Sequence, residues 1–539
     1  MDDPRSDFAI PFSLRIGVIG HVAVFGEEHV RDGIRTVLRR LDEILRKTPH
    51  SFTVVSSCID EAFEPVIEEI LATSGGAERG TSQYEAVLLS SPAECVLNLE
   101  TDRERDAFRR LVGRASSVRV IGESGAAGGT AHEITGQNIV NTCDLLLVIW
   151  DGLGDPDPGS TTQLVRYARV AGRTLFWVHS VTGRVVEERH EDGILESLED
   201  LNAYNGEEAG AEEIGRTCAE LRDWLARKMQ ASGLPADLLK PLSRTMLRDY
   251  ARAHLLTARY RRRYMRAGSA VYALAALAVA TVTIQTLFFP EYPQLLWLEV
   301  AEIGIILLLL MASRTGGWHR KWIDYRFLTE RIRAGFFMSI ICVRCEKPTA
   351  PGHMSLSHRS NDWMLLAFEG ILDRRPLEYC NLAIPFEPLK AFLAAAWIDD
   401  RLASYTKSSE WNRQRYTLIS QIGEILFAVT LVAAAIHASE FDNSEFLSLL
   451  HYPGALAAIT IILPAIGAAL AGIRVQREYL RNSERYAHMM RHLSTLSSQI
   501  KRAEDMDELI DLLKEANEIT LREQQDWRIM FLFRDLETP

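Results

Sequence analysis

From residue 14 to 180, short apolar runs alternate with amphipathic stretches. The runs cover 14–19, 52–55, 86–89, 118–121, 144–150 and 174–179. Between them the spacing turns helical. In 27–47, for example, Val30, Ile34, Val37, Leu38, Leu41 and Leu45 fall on one face. This alternation predicts a parallel sheet with helices on both faces. Such sheets bind ligands at the carboxyl ends of their strands, where strand order reverses.

Farther along, the polar face disappears. The windows 270–289, 295–313, 418–437 and 455–473 contain no Lys, Arg or Asp, and only the second and third contain Glu. Each is close to the roughly 20 apolar residues that cross a bilayer as a helix. Links containing proline, 290–294 and 438–454, join them in pairs. The links carry Glu291, Glu440, Asp442 and Glu445 but no Lys or Arg, whereas arginines flank the pairs outside: Arg261, Arg262, Arg263 and Arg266, then Arg314, Arg320 and Arg326 with Lys321, then Arg413 and Arg415, then Arg474, Arg477 and Arg481. By the positive-inside rule, both termini and residues 348–402 are expected in the cytoplasm. Tyr264, Tyr292, Trp297, Trp318, Tyr416 and Tyr452 lie near window ends, as interfacial anchors do.

Composition changes this picture little, because it averages unlike parts. The chain has 539 residues, 47% hydrophobic and 24% charged, which excludes collagen-like and largely disordered classes. Its mean hydropathy of −0.04 reflects cancellation between apolar windows and charged regions. A net charge of −12 argues against nucleic acid as a partner. Seven cysteines are too few for a disulfide scaffold. The acidic start, Met1-Asp2-Asp3-Pro4, has no apolar leader pattern, so the first part of the chain is expected to stay cytoplasmic.

The candidate chemistry sits at strand ends. Gly20 and His21 close the first run, Ser56 and Ser57 the second, and Trp150, Asp151 and Gly152 the fifth. Gly159, Ser160, Thr161, Thr162 and Gln163 then open a helix. Glycine allows close backbone approach, hydroxyls donate, and free amides at a helix start favour a phosphate. The same pattern also serves plain helix capping by Ser160 or Thr161.

These stretches resemble the SLOG superfamily, the Rossmann-like nucleotide sensors related to DprA and the lysine-decarboxylase-like LOG proteins. The matching residues are 16–21, 54–57, 135–141, 143–152 and 159–163. The resemblance implies a nucleotide-derived ligand. Two departures stand out. Residues 59–64 replace a small glycine-containing turn, and Gln163 replaces the Glu of hydrolytic relatives. Glutamine is no general base, so the resemblance points to a binder rather than an enzyme.

Residues 181–260 read as a helical connector, acidic over 187–213, with helical patterns over 212–229 and from 241 onward. The rest forms two similar halves offset by about 150 residues: a basic aromatic helix, two apolar windows, then a helix with Arg and Glu at helical spacing. Those charges, including Arg326, Glu330 and Arg331, then Arg481, Glu484 and Arg485, suit solvated salt bridges. Residues 245–535 resemble the SLATT family of membrane effectors, best over 322–333, 477–486 and 523–527. That resemblance implies a pore in the inner membrane of a bacterium, used in antiphage abortive infection.

Glu299, Glu302 and Glu424 lie inside apolar windows and are pore candidates. For Glu299 and Glu302, snorkelling to the outer interface is the alternative. Gly467, Ala468, Ala471 and Gly472 suit close helix packing, between chains or within one. Cys342 and Cys345, with His353 and His358 beyond, make only a lone Cys-x-x-Cys, and no metal site is expected.

The expected organisation is a Rossmann-like α/β domain (1–180), a helical connector (181–260), a two-span unit (261–345), a cytoplasmic linker (346–402), a second two-span unit (403–486) and C-terminal cytoplasmic helices (487–539). The expected function is a homo-oligomeric membrane effector that senses a nucleotide second messenger and permeabilises the bilayer, without a cofactor. Alternatives are a membrane-tethered nucleotide hydrolase of LOG type and a ligand-sensing membrane scaffold.

Overall fold

In a computed structural model of the chain, the residues described are 8–20, 28–57, 64–72, 81–99, 101–122, 131–153, 159–190, 193–343, 362–376, 384–438 and 454–532. The chain divides into two compact units, Met1–Gly210 with Lys347–Arg375, and Ala211–Glu346 with Pro376–Pro539.

In the first unit, each predicted run is a strand. Strands β1 (Phe12–Gly20), β2 (His50–Ser57), β3 (Gln83–Leu88), β4 (Ser117–Val120), β5 (Leu145–Trp150) and β6 (Thr174–His179) are parallel. A strand without a sequence expectation, β7 (Val185–Glu188), returns antiparallel along β6. It is short, charged and only half-buried, so it shows no alternation to read. The order is β4-β3-β2-β1-β5-β6-β7. Strand order therefore reverses between β1 and β5, where Gly20 pairs with Ile149.

Two helical layers cover this sheet. Helix α1 (Glu28–Ile44) buries the predicted stripe of Val30, Ile34, Val37, Leu38 and Leu41. It is tied to α2 (Glu64–Ala72) by Arg35 on Glu69, 2.7 Å. After the short α3 (Pro92–Asn98), α4 (Asp102–Arg114) joins α2 through Arg114 and Glu68, also 2.7 Å. Helices α5 (Ala131–Thr142) and α6 (Thr161–Val170) build a separate core, with Ile139, Val140, Leu164 and Val165 on Ile19, Val55, Val87 and Val148. Gly17 makes this possible: a Cβ there would stand 2.9 Å from Cys143 Sγ. Burial pushes the Cys143 thiol up to about 12, so this cysteine is core and not a nucleophile.

The sequence reading ended this domain at 180, but the compact unit runs to Gly210. The reason is α7 (Ile194–Asn205). Asn205 brackets Ile10, accepting its amide at 2.9 Å and donating to its carbonyl at 3.0 Å. Asn202 accepts the Lys47 amide at 2.6 Å. The expected linker 346–402 is also divided, since its first part, with α12 (Trp363–Asp373), belongs to this unit. There Trp363 meets Tyr204, ring centroids 5.1 Å apart. Gly370 lies so close to the Pro11 carbonyl that a Cβ would stand 2.3 Å away.

The second unit is helical. It contains α8 (Ala211–Ala231), α9 (Lys240–Phe288), α10 (Leu296–Thr315), α11 (Trp318–Ile340), α13 (Phe386–Leu393), α14 (Asp399–Ala438), α15 (Ala455–Arg477), α16 (Tyr479–Arg502) and α17 (Met506–Leu532). Among the described residues, four helical stretches, in α9, α10, α14 and α15, are long and apolar enough to cross a membrane. The two halves repeat one arrangement. The polar start of α9 packs on α11 and its apolar end on α10; α14 packs likewise on α16 and α15. Tyr264 against Trp322, 5.8 Å, corresponds to Trp411 against Tyr479, 5.7 Å. Tyr264 is therefore a buried core residue rather than an interfacial anchor, while Trp297 and Tyr292 are exposed as anchors need. Tyr452 lies outside the described residues.

The Arg and Glu residues also differ from expectation. Several make ion pairs between helices, not solvated pairs along one helix. Glu330 pairs with Arg401 of α14, Arg333 with Asp400 at 2.8 Å, and Arg485 with Glu523 of α17. Arg528 of α17 approaches Asp324 at 3.5 Å. Removing one partner of a buried pair such as Arg485–Glu523 strands the other charge, which is costly.

Candidate functional site

The candidate site forms at the carboxyl edge where strand order reverses. Gly20 ends β1, Trp150 ends β5, and Trp150 pairs in register with His179 on β6. His21 and the loop 154–158 lie outside the described residues. Trp150 Nε1 donates to the Leu153 carbonyl at 3.0 Å, and Thr162 Oγ1 donates to the same oxygen at 3.2 Å. Asp151 accepts the Leu153 amide at 2.9 Å. These bonds fold the chain after β5 back onto the start of α6. Gly152 and Gly159 both have positive φ, +83° and +82°, a conformation that strains other residues.

Ser160 is the N-cap of α6, its hydroxyl accepting the Gln163 amide at 3.3 Å. Thr161 and Thr162 occupy the first two helical positions, whose amides have no intrahelical acceptor. The helix start thus offers partial positive charge and donors to an anion. The plain capping role is also present, so Ser160 serves the helix whether or not a ligand binds.

Gln163 has a structural role. Its Oε1 accepts the Gly159 amide, and its Nε2 donates to Glu133 Oε1 at 2.9 Å. Glu133, in the first turn of α5, also accepts from Gln137 at 3.3 Å. Sequence reasoning missed Glu133, because 30 residues separate it from Gln163 and only the α5–α6 packing joins them. A carboxylate therefore stands beside Gln163.

Aromatic rings flank this edge. Trp177 lies 5.6 Å from Trp150 and stacks on His179 at 6.0 Å. Trp177 Nε1 is bound to the Trp150 carbonyl at 2.8 Å, which fixes the ring. Trp177 and His179 are half-buried, so their outer faces can stack a planar ring. The two candidate serines separate. Ser56 is fully buried and contacts Tyr84 Oη at 3.4 Å, whereas Ser57 is half-buried at the strand end.

In the helical unit, the three carboxylates also separate. Glu302 turns inward, accepting from Thr281 of α9 at 3.1 Å, and its second oxygen is buried without a hydrogen-bond partner among the described residues. Glu299 is half-buried and Glu424 exposed. Two of the small residues of α15 pack within the chain, Gly467 against Phe427 of α14 and Gly472 against Tyr272 of α9, whereas Ala468 is exposed. Cys345, His353 and His358 lie outside the described residues, and no metal-ligand cluster occurs among the described ones.

Compared with protein-family models, curated proteins and solved structures, the chain matches none.

Proposed function

We propose that this protein is a ligand-gated membrane effector. The α/β unit binds a phosphate-bearing nucleotide at the α6 start, with its base against Trp177 and His179. The helical unit lies in the inner membrane of a bacterium with both termini cytoplasmic, forms a homo-oligomer, and opens a path through the bilayer during antiphage defence. One observation carries the membrane half of this reading: most apolar side chains in the windows of α10 and α14 are covered by none of the described residues. Only 11% and 6% of their apolar windows are buried, and Trp297 and Leu431 are 73% and 72% exposed. Patches of this size are tolerated against lipid or another subunit, not water. A ligand gates such an assembly only if it binds the open form better than the closed one.

The test is dye release from liposomes holding the purified full chain, challenged with cyclic and ADP-ribose-type nucleotides. Leakage should require one nucleotide. Gly159→Glu puts a carboxylate at the anion site and a side chain at positive φ, so it should abolish leakage while leaving membrane insertion intact. Nucleotide binding with tight liposomes throughout would favour a sensing scaffold instead.

Glu133 favours a second reading, hydrolysis at the same edge. If its carboxylate acts as general base, the wild type turns over nucleoside monophosphates and Glu133→Gln loses at least about 100-fold in rate. Under the sensor reading neither protein shows turnover.

A further inference from the structure

We infer that the helical unit holds a second anion site, between its two repeated halves, that takes a phosphate-bearing group. A cavity of about 600 Å³ opens between α9, α11, α14 and the start of α16. That volume suits a small ligand or a lipid headgroup. Its walls bring together Arg261 of α9, Arg326 of α11, Lys407 of α14 and Arg477 at the end of α15. The carboxylates there are Glu330 and Glu410. Glu330 is engaged by Arg401, which leaves Glu410 against Arg261, Lys407 and Arg477, while Arg326 is held by Tyr486 and faces Glu523.

Three of the four cations are poorly compensated. Arg261 and Lys407 have no ion-pair partner among the described residues. Arg477 donates only to neutral oxygens, Met265 O at 3.1 Å and Ser269 Oγ at 2.9 Å, and its Nε is buried without a hydrogen-bond partner. Burial, and then repulsion from Arg326 and Arg477, lowers the Arg261 pKa. Each guanidinium presents a planar fork of donors that matches phosphate, and Arg261, Arg326 and Arg477 converge on this cavity. The sequence puts Arg261 just before one apolar window and Arg477 just after another. If the windows span a bilayer, the cavity lies at headgroup depth, where an anionic lipid supplies the phosphate. A soluble phosphate compound has the same chemistry. This site is independent of the nucleotide reading for the α/β unit.

The experiment uses the full chain in two settings: detergent micelles titrated with inorganic pyrophosphate, and nanodiscs of phosphatidylcholine with or without phosphatidylglycerol. Thermal unfolding is the readout. A rise in Tm with pyrophosphate identifies a soluble ligand, and a rise only with phosphatidylglycerol identifies a lipid. In either case the paired variant Arg261→Gln/Lys407→Gln, whose side chains hold no bond in the fold, should weaken the half-effect concentration about ten-fold or more. Arg262→Gln/Arg413→Gln removes the same charge outside the cavity and should not. The inference is overturned if neither anion changes Tm, or if both variants lose the effect equally.

Discussion

A fragment ending at Gly210 will not fold, and supplying residues 362–375 will rescue it. Helix α12 buries Met364, Leu365, Leu366, Phe368, Ile371 and Leu372, besides Trp363 on Tyr204. At about 1.5–3 kcal/mol per large apolar side chain, these are worth of the order of 10 kcal/mol, an upper bound. Net domain stability is only about 5–15 kcal/mol. Without α12, the seat on β1 and α7 is left as bare apolar surface. Circular dichroism should show no cooperative melt for 1–210, and a cooperative melt once 362–375 is fused through a flexible linker. Equal melts for both fragments would show that α12 is an ornament on a complete domain.

Under the sensor function proposed above, the same helix has a place in signalling. The chain leaves the helical unit after α11, contributes α12 to the α/β unit, and returns as α13. The units are thus joined by three chain crossings instead of one. A ligand that loosened or tightened the seat of α12 would act on the segment between the second and third apolar windows without passing through the connector at 210–211. Allosteric coupling needs a bistable element that both sites bias, and α12 has the connectivity for one.

What the sequence revealed and concealed divides along physical lines. Strands β1, β2, β3, β5 and β6 were legible because a central parallel strand is buried on its faces and reads as an apolar run. β4 is an exposed edge strand and was readable only from Val118, Val120 and Ile121. The apolar windows were legible because a helix without charges for about 20 residues has few other uses. β7 was not, since a half-buried edge strand such as Val185–Glu188 carries no period. α12 lost its place because an apolar helix does not announce which surface covers it. At the site, Gly159 and Ser160 could be read from local turn and capping chemistry. Glu133 could not, because its role depends on contact with Gln163 across the α5–α6 interface. Arg261, Arg326 and Arg477 were visible only as inner-face charge, and their convergence on one cavity depends on tertiary packing.

Gly472→Leu will destabilise the helical unit, whereas Gly304→Leu and Gly423→Leu will not. A Cβ at Gly472 would stand 2.4 Å from the Tyr272 ring on α9. The neighbouring contacts hold that seam shut: Arg477 bonds Met265 and Ser269, and Gly268 lies against Gln476. Tyr272 therefore cannot withdraw without disturbing α9 on both sides, and overpacking of this kind costs about 1–3 kcal/mol. A Cβ at Gly304 or Gly423, both in apolar helices, would meet nothing within 4 Å beyond its own helix among the described residues. Leucine there adds helix propensity worth up to about 1 kcal/mol, so the expected change has the opposite sign. Unfolding in mixed micelles by added sodium dodecyl sulfate gives the three values. Cross-linking in intact membranes then separates fold from assembly. If Gly304→Leu or Gly423→Leu spares the fold but dissolves the oligomer, the open faces of α10 and α14 are where a second copy packs, because small residues let helix backbones approach closely in lipid.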